Sequence, residues 1–185
     1  MRRAGERALQ HFGRFTSVAA TAEDTTLSDR SVDFVTAGQA FHWFDAGKAR
    51  REFARVLKPG GSVVLIWNSR RKDGKPFLVA YENLLRVYGT DYQEVRHGRR
   101  GSKENILGFF RPHPVEEATF RNRQVFDLVG LKGRLLSSSY VPDEGEPGHS
   151  EMMEAARRLF KEHQADGTVV LEYDTKVFFG PLSHS

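Results

Sequence analysis

Apolar positions in this chain follow two periods, and the changes of period mark out its elements. Residues 1 to 12 set Ala4, Ala8, Leu9 and Phe12 on one side and arginines on the other, which predicts a helix. Phe15 to Ala20 reads as a short strand, and Thr21-Ala22-Glu23-Asp24 as a polar loop. From Ser31 to Asn68 the pattern gives a strand, loop, helix, turn, strand unit. Val32 to Ala37 is apolar except for Asp33 and Thr36, and after Asp45 a helical face carries Ala49, Phe53, Val56 and Leu57. Lys58-Pro59-Gly60-Gly61 stops that helix, and Val63 to Trp67 is a second apolar run. Two apolar strands joined by an amphipathic helix are what a right-handed parallel crossover needs. Ligands of such sheets bind beyond the carboxyl ends of the strands, so the loop Gly38-Gln39-Ala40-Phe41-His42-Trp43 lies at the expected site.

Downstream, Arg70 to Lys75 reads as a charged loop, and a helix starts at Pro76, a residue favoured in the first turn. Its apolar positions are Phe77, Leu78, Tyr81, Leu84, Leu85 and Tyr88. Residues 89 to 116 have the least regular pattern; a segment this long without elements suggests a variable insert or a lid. Phe120 to Phe126 alternates as a strand, and a short helical or turn segment runs to Leu136. After a loop at Val141 to His149, Ser150 is the expected N-cap of a helix with Met152, Ala156, Leu159 and Phe160 inward. Thr168 to Phe179 closes as a long alternating strand. Strand, helix, long strand in this order suggests that the sheet ends in an antiparallel pair.

With 185 residues, 39% of them hydrophobic, the chain is expected to form a single domain, 1 to 185. It has no cysteine, which excludes disulfides and thiolate metal sites and fits a reducing compartment. No run reaches the roughly 18 apolar residues of a membrane span, and the expectation is a cytoplasmic protein with no membrane partner. The net charge is +4, with basic clusters at Arg50-Arg51, Ser69 to Lys72 and Arg96 to Lys103. Few aromatics interleave them, so they read as solvated surface rather than as a nucleic-acid face. The histidines are scattered and give no metal-ligand spacing.

The run SVDFVTAGQAFHWFD, the RVLKPGG turn after the next helix, and TAED upstream, in this order and spacing, resemble the class I S-adenosylmethionine-dependent methyltransferases, in the type 11 small-molecule group. The resemblance implies an α/β, Rossmann-like fold with strand order 3-2-1-4-5-7-6, S-adenosylmethionine as cofactor and a small-molecule methyl acceptor. It covers only part of the family's domain. The family's glycine-rich turn and acidic-ended second strand have no counterpart before Phe15. The expected fold is therefore partial, with the first two strands missing and a mixed sheet ending in an antiparallel strand pair. An amino-terminally truncated form with impaired cofactor binding is the leading expectation. The alternative is a non-catalytic module that associates with another chain, or with itself, through an exposed sheet edge.

The same resemblance points to site residues. Thr21, Ala22 and Glu23 follow the third strand, where the family contacts adenine; Thr21 replaces the usual acidic residue, so the main-chain amide of Ala22 or Glu23 is the expected contact. Gln39 and Ala40 leave the fourth strand, where the cofactor's sulfonium is lined. His42 is the candidate proton acceptor, since histidine as a residue type titrates near neutral pH. Methyl transfer gains mainly from alignment and water exclusion, so a base is optional. His42 and Trp43 capping the helix entrance is the other reading. Trp43 and Tyr140 are the candidate substrate contacts. Ser137-Ser138-Ser139 reads as a turn.

Overall fold

The computed structural model describes residues 2–90, 92 and 102–182. Helix α1 is Arg2–Leu9, strand β1 Val32–Gly38, helix α2 Ala46–Val56 and strand β2 Leu57–Arg70. Then follow α3 (Pro76–Tyr88), α4 (Lys103–Phe110), β3 (Glu116–Phe126), α5 (Leu128–Leu136), α6 (His149–His163) and β4 (Val169–Gly180).

The four strands stand in the order β1-β2-β4-β3. β1 and β2 are parallel, joined through α2, and β4 lies antiparallel to both β2 and β3. This is the mixed sheet with an antiparallel end that the alternation implied. Alternate residues of a strand face opposite ways, and β4 uses both faces. Val169, Leu171 and Tyr173 join a cluster with Leu78, Leu85, Leu131, Leu135 and Met152 of α3, α5 and α6. Phe178, of the opposite parity, joins Val63 and Leu65 of β2, Phe53 of α2 and Phe109 and Phe110 of α4. Two apolar layers thus cover the two faces of one sheet.

The Lys58-Pro59-Gly60-Gly61 turn sits inside β2, where the register with β1 jumps from Val32–Leu57 to Phe34–Ser62. Gly60 has φ +78°, and a Cβ on Gly61 would meet the carbonyl oxygens of Asp33 and Lys58 at 2.9 Å. Each glycine therefore has its own reason: one for backbone conformation, the other for close approach.

Three expectations need correction. Phe15 to Ala20 forms no strand: among the described residues it pairs with nothing, and Phe15 and Val18 are exposed. A strand needs a neighbour for its amides and carbonyls, and none is beside it. The N-cap of α6 is Gly148, with φ 87°, rather than Ser150, which falls in the first turn. The segment 89 to 116 is not without elements, because α4 is capped by Ser102 through the Asn105 amide and buries Ile106, Phe109 and Phe110. The rest of the lid expectation rests on residues 91 and 93–101, outside the described residues.

Candidate active site

The parallel pair ends at Gly38 and Arg70, and the first residue beyond β1 is clipped to β2 three ways. The Gln39 amide donates to the Ile66 carbonyl at 3.0 Å. Its side-chain oxygen accepts from the Asn68 amide at 3.2 Å, and its Nε2 donates to the Asn68 carbonyl at 3.5 Å. These bonds hold Gln39 at φ 53°, a left-handed conformation that costs a residue with a Cβ about 1–2 kcal/mol. Asn68 is fixed in turn, its Oδ1 accepting from the Thr175 hydroxyl at 2.9 Å and from Asn122 at 3.5 Å. A polar line therefore runs from the loop after β1 across β2 and β4 to β3.

That loop then turns through a 3₁₀ segment, Phe41–Trp43, whose residues part company. Phe41 is buried, with its ring edge-on to Phe109 at 4.9 Å and to Trp67 at 6.1 Å. Trp43 is 76% exposed, and its ring lies 4.8 Å from that of His42. Asp45 caps α2 by accepting from the Lys48 amide at 3.0 Å. That amide bond lowers the Asp45 pKa.

The loop of residues 21 to 25 is tied to the same helix. Glu23 accepts from the Asp45 amide at 2.9 Å, and Glu52 accepts from the Thr25 amide and hydroxyl. Hydrogen bonds from Arg55 and Thr25 hold the Glu52 carboxyl well below the usual range, at about 2. Thr21 is occupied locally, its hydroxyl accepting from the Asp24 amide. The amides of Ala22, Glu23 and Ala40 have no hydrogen-bond partner among the described residues. They are the donors this region offers.

Beside α2 an open cleft of about 840 Å³ is lined by Glu23, Phe41, Trp43, Phe44, Asp45 and Arg50 on one side and Glu104, Asn105 and Phe109 on the other. It lies between α2 and α4, and of the sequence-derived candidates it includes Glu23 and Trp43. Thr21, Ala22, Gln39, Ala40 and His42 sit next to it along the chain. Arg50 closes its floor by donating to the carbonyls of Phe109, Arg111 and Leu182.

Tyr140 belongs to the other face of the sheet, packed against the cluster of α3, α5 and α6, with its ring 5.0 Å from Tyr92. Around it is a polar group that the sequence reading missed: Arg70, Glu82 and Tyr92, joined by short hydrogen bonds. Burial works to raise the Glu82 pKa, but bonds from Tyr92 and Arg70 hold it below its ordinary value. Burial pushes Tyr81 up to about 12, and burial with the Glu82 bond raises Tyr92 as well. Arg70 looks like the start of a charged loop in the sequence. Continued alternation from Trp67 is the signal that places it on the Asn68 face of β2. Among the described residues no group of three or more His, Asp or Glu is gathered for a metal ion, and no helix is long and apolar enough to cross a membrane.

Residues 1–65 match the family model for the methyltransferase domain. A methyltransferase-like protein of Schizosaccharomyces pombe is 41% identical over 164 residues, covering 86% of this chain and 62% of its own length. A Mycobacterium tuberculosis methyltransferase of undetermined activity is 33% identical over 146 residues, covering 78% of this chain and 55% of its own. The chain thus spans little more than half the length of these relatives. Among solved structures, one assigned as a type II methyltransferase of Anaeromyxobacter dehalogenans superposes with a TM-score of 0.68 at 23% identity, covering 95% of this chain and 75% of that one. The YcgJ protein of Bacillus subtilis gives 0.52 at 20%, covering 97% and 77%. These superpositions show a Rossmann-like fold, and the family's cofactor is S-adenosylmethionine. The superpositions and the order of the strands give the fold alone, while the family model and the sequence relatives place the chain among the class I S-adenosylmethionine-dependent methyltransferases.

Proposed function

We propose that this chain forms the adenine-side and acceptor-side wall of a small-molecule methyltransferase, as an amino-terminally truncated form with impaired cofactor binding. The observation that carries the reading is the fastening of two neighbouring loops: residues 21 to 25 are tied to Asp45 and Glu52 of the α2 segment, and Gln39 to Asn68 of β2. When bound, S-adenosylmethionine supplies an electrophilic methyl on a sulfonium. The donor set fits part of that cofactor. Amides of Ala22 and Glu23 suit an acceptor nitrogen of adenine, and Ala40 follows the clipped Gln39.

Gln39 itself has its side chain committed to Asn68, so its contribution is to hold the loop path. Trp43, with its exposed ring, is the proposed substrate contact, and His42, whose ring lies beside it, is the proposed acceptor of a proton where the methyl acceptor loses one. Alignment and exclusion of water are the residues' main task, since the displacement is direct. Missing from residues 1–30 is a glycine-rich turn that would let the backbone close on the cofactor's amino-acid part.

Calorimetry with S-adenosylmethionine on the 185-residue chain tests both halves of the proposal. Binding weaker than micromolar that is abolished by Ala22→Pro is the expected result. Micromolar binding would sink the claim of impairment, and no binding at millimolar cofactor would sink the wall itself.

A second reading, a non-catalytic module that pairs with another chain, is favoured by one observation. Among the described residues β1 pairs with β2 alone, and Phe34 on β1 is 66% exposed.

A further inference from the structure

Arg70 is the last residue of β2, and its side chain is only 9% exposed. Its Nη2 is fully used, donating to Glu82 Oε2 at 2.7 Å and to the Tyr92 hydroxyl at 3.1 Å. Tyr92 donates to the same Glu82 oxygen at 2.5 Å. The guanidinium carbon stands 4.9 Å from the centre of the Tyr81 ring. Its Nη1, closed off from solvent, has no hydrogen-bond partner.

A buried donor without an acceptor costs about 1–3 kcal/mol, and more when it is charged. Among the described residues, Arg70, Lys72 and Arg86 all pair with the Glu82 carboxylate, Lys72 Nζ at 3.7 Å and Arg86 Nε at 3.5 Å from its Oε1. Arg134 of α5 adds a fourth cation nearby, donating to the Tyr173 hydroxyl at 3.5 Å. Tyr81 and Tyr140 lie within its field. An anion beside Nη1 would give this buried charged donor its acceptor.

The place is also right for a reactant. Arg70 ends a parallel strand, and it lies two residues beyond Asn68, which clips Gln39 of the neighbouring strand end. We infer that Arg70 anchors a carboxylate of the methyl acceptor, which makes the acceptor a small organic acid. The inference rests on the methyltransferase reading above. A guanidinium matches a carboxylate in plane, through paired N–H donors, better than it matches a neutral amide. Because Nη1 is closed, binding requires neighbouring rings to move, and association is slower than for an open pocket.

The test titrates the 185-residue chain with succinate, citrate and benzoate, with the neutral diamide of succinate, and with inorganic phosphate, by calorimetry and amide NMR. S-adenosylmethionine binding is measured separately. Two variants are compared. Arg70→Lys keeps the charge and loses the planar fork, whereas Arg70→Met with Glu82→Met removes both charges at once, leaving neither stranded in the core. At least one acid is expected to bind, with its Kd raised tenfold or more in both variants and no binding of the diamide. The inference is overturned if no acid binds, if the double variant binds acid as tightly as the parent, or if phosphate binds as well as the best acid. Cofactor binding without acid binding defeats this inference alone. Acid held at Arg70 without any cofactor binding defeats the methyltransferase reading, and with it the acceptor role, while the anion site stands.

Discussion

At the scale of single residues, the candidate site is shaped by side chains that hold the main chain rather than reach for a ligand. Gln39 is the clearest case. Its left-handed backbone and its two bonds to Asn68 are separable by substitution. Gln39→Gly loses the bonds and relieves the backbone; Gln39→Ala loses the bonds and keeps the cost. The alanine variant should be less stable than the glycine variant by about 1 kcal/mol in urea denaturation. Equal stabilities would show that the conformation is unstrained. Glu52 gives a second residue-scale prediction. Its pKa falls from 4.5 unfolded to about 2 folded, so its contribution is complete above about pH 4.5 and is lost as pH falls toward 2. Glu52→Gln should lower stability at neutral pH and flatten the acid limb between those values, measured by thermal melts across pH. An unchanged acid limb would assign the acid sensitivity to other carboxylates.

Individual elements show what could be read from sequence and what could not. The unit of β1, α2 and β2 was legible because its apolar period changes cleanly and Lys58-Pro59-Gly60-Gly61 marks the stop. The antiparallel end was legible from the alternation of β3 and β4. Phe15 to Ala20 was misread because propensity is local, while strand formation depends on a neighbour. The loop 21 to 25 is a candidate site through family resemblance alone, and its ties to Glu52 and Asp45 come from the structure. Arg70 was hidden because a charged residue at a strand end resembles solvent-facing loop, and only its partners, twelve and twenty-two positions away, make it buried. Within β2, Gly61→Ala should disturb the pairing with β1, since its new methyl would meet two carbonyl oxygens. Hydrogen exchange should then speed up for amides of Val63 to Leu65 while those of α6 keep their protection. Leu65→Ala, at a fully buried position, should cost about 2–5 kcal/mol in denaturant melts. A loss under 1 kcal/mol would mean that this face is loosely packed.

For the molecule as a whole, the question is what its open side meets. Apart from its pairing with β2, β1 exposes Phe34 and, next to it, Asp33, which pairs with Lys58 at 3.0 Å. Charged residues at an edge oppose sheet-to-sheet association. If the edge takes a second chain, Phe34→Lys should shift light-scattering mass toward monomer, and a mass unaffected by that change would remove the edge from any assembly.

The position of β4 has one more consequence, for synthesis on the ribosome. β2 and β3 never touch each other as sheet neighbours; each is bonded to β4, which follows both in the chain. A nascent chain that has already delivered β1, α2 and β2 can pair those strands, but β3 waits with no strand to join until Val169–Gly180 emerges. Closure of the sheet is thus deferred to the arrival of one late segment. Stalling translation before and after that segment, and probing each nascent chain by limited proteolysis, should show β3 changing abruptly from cleavable to protected.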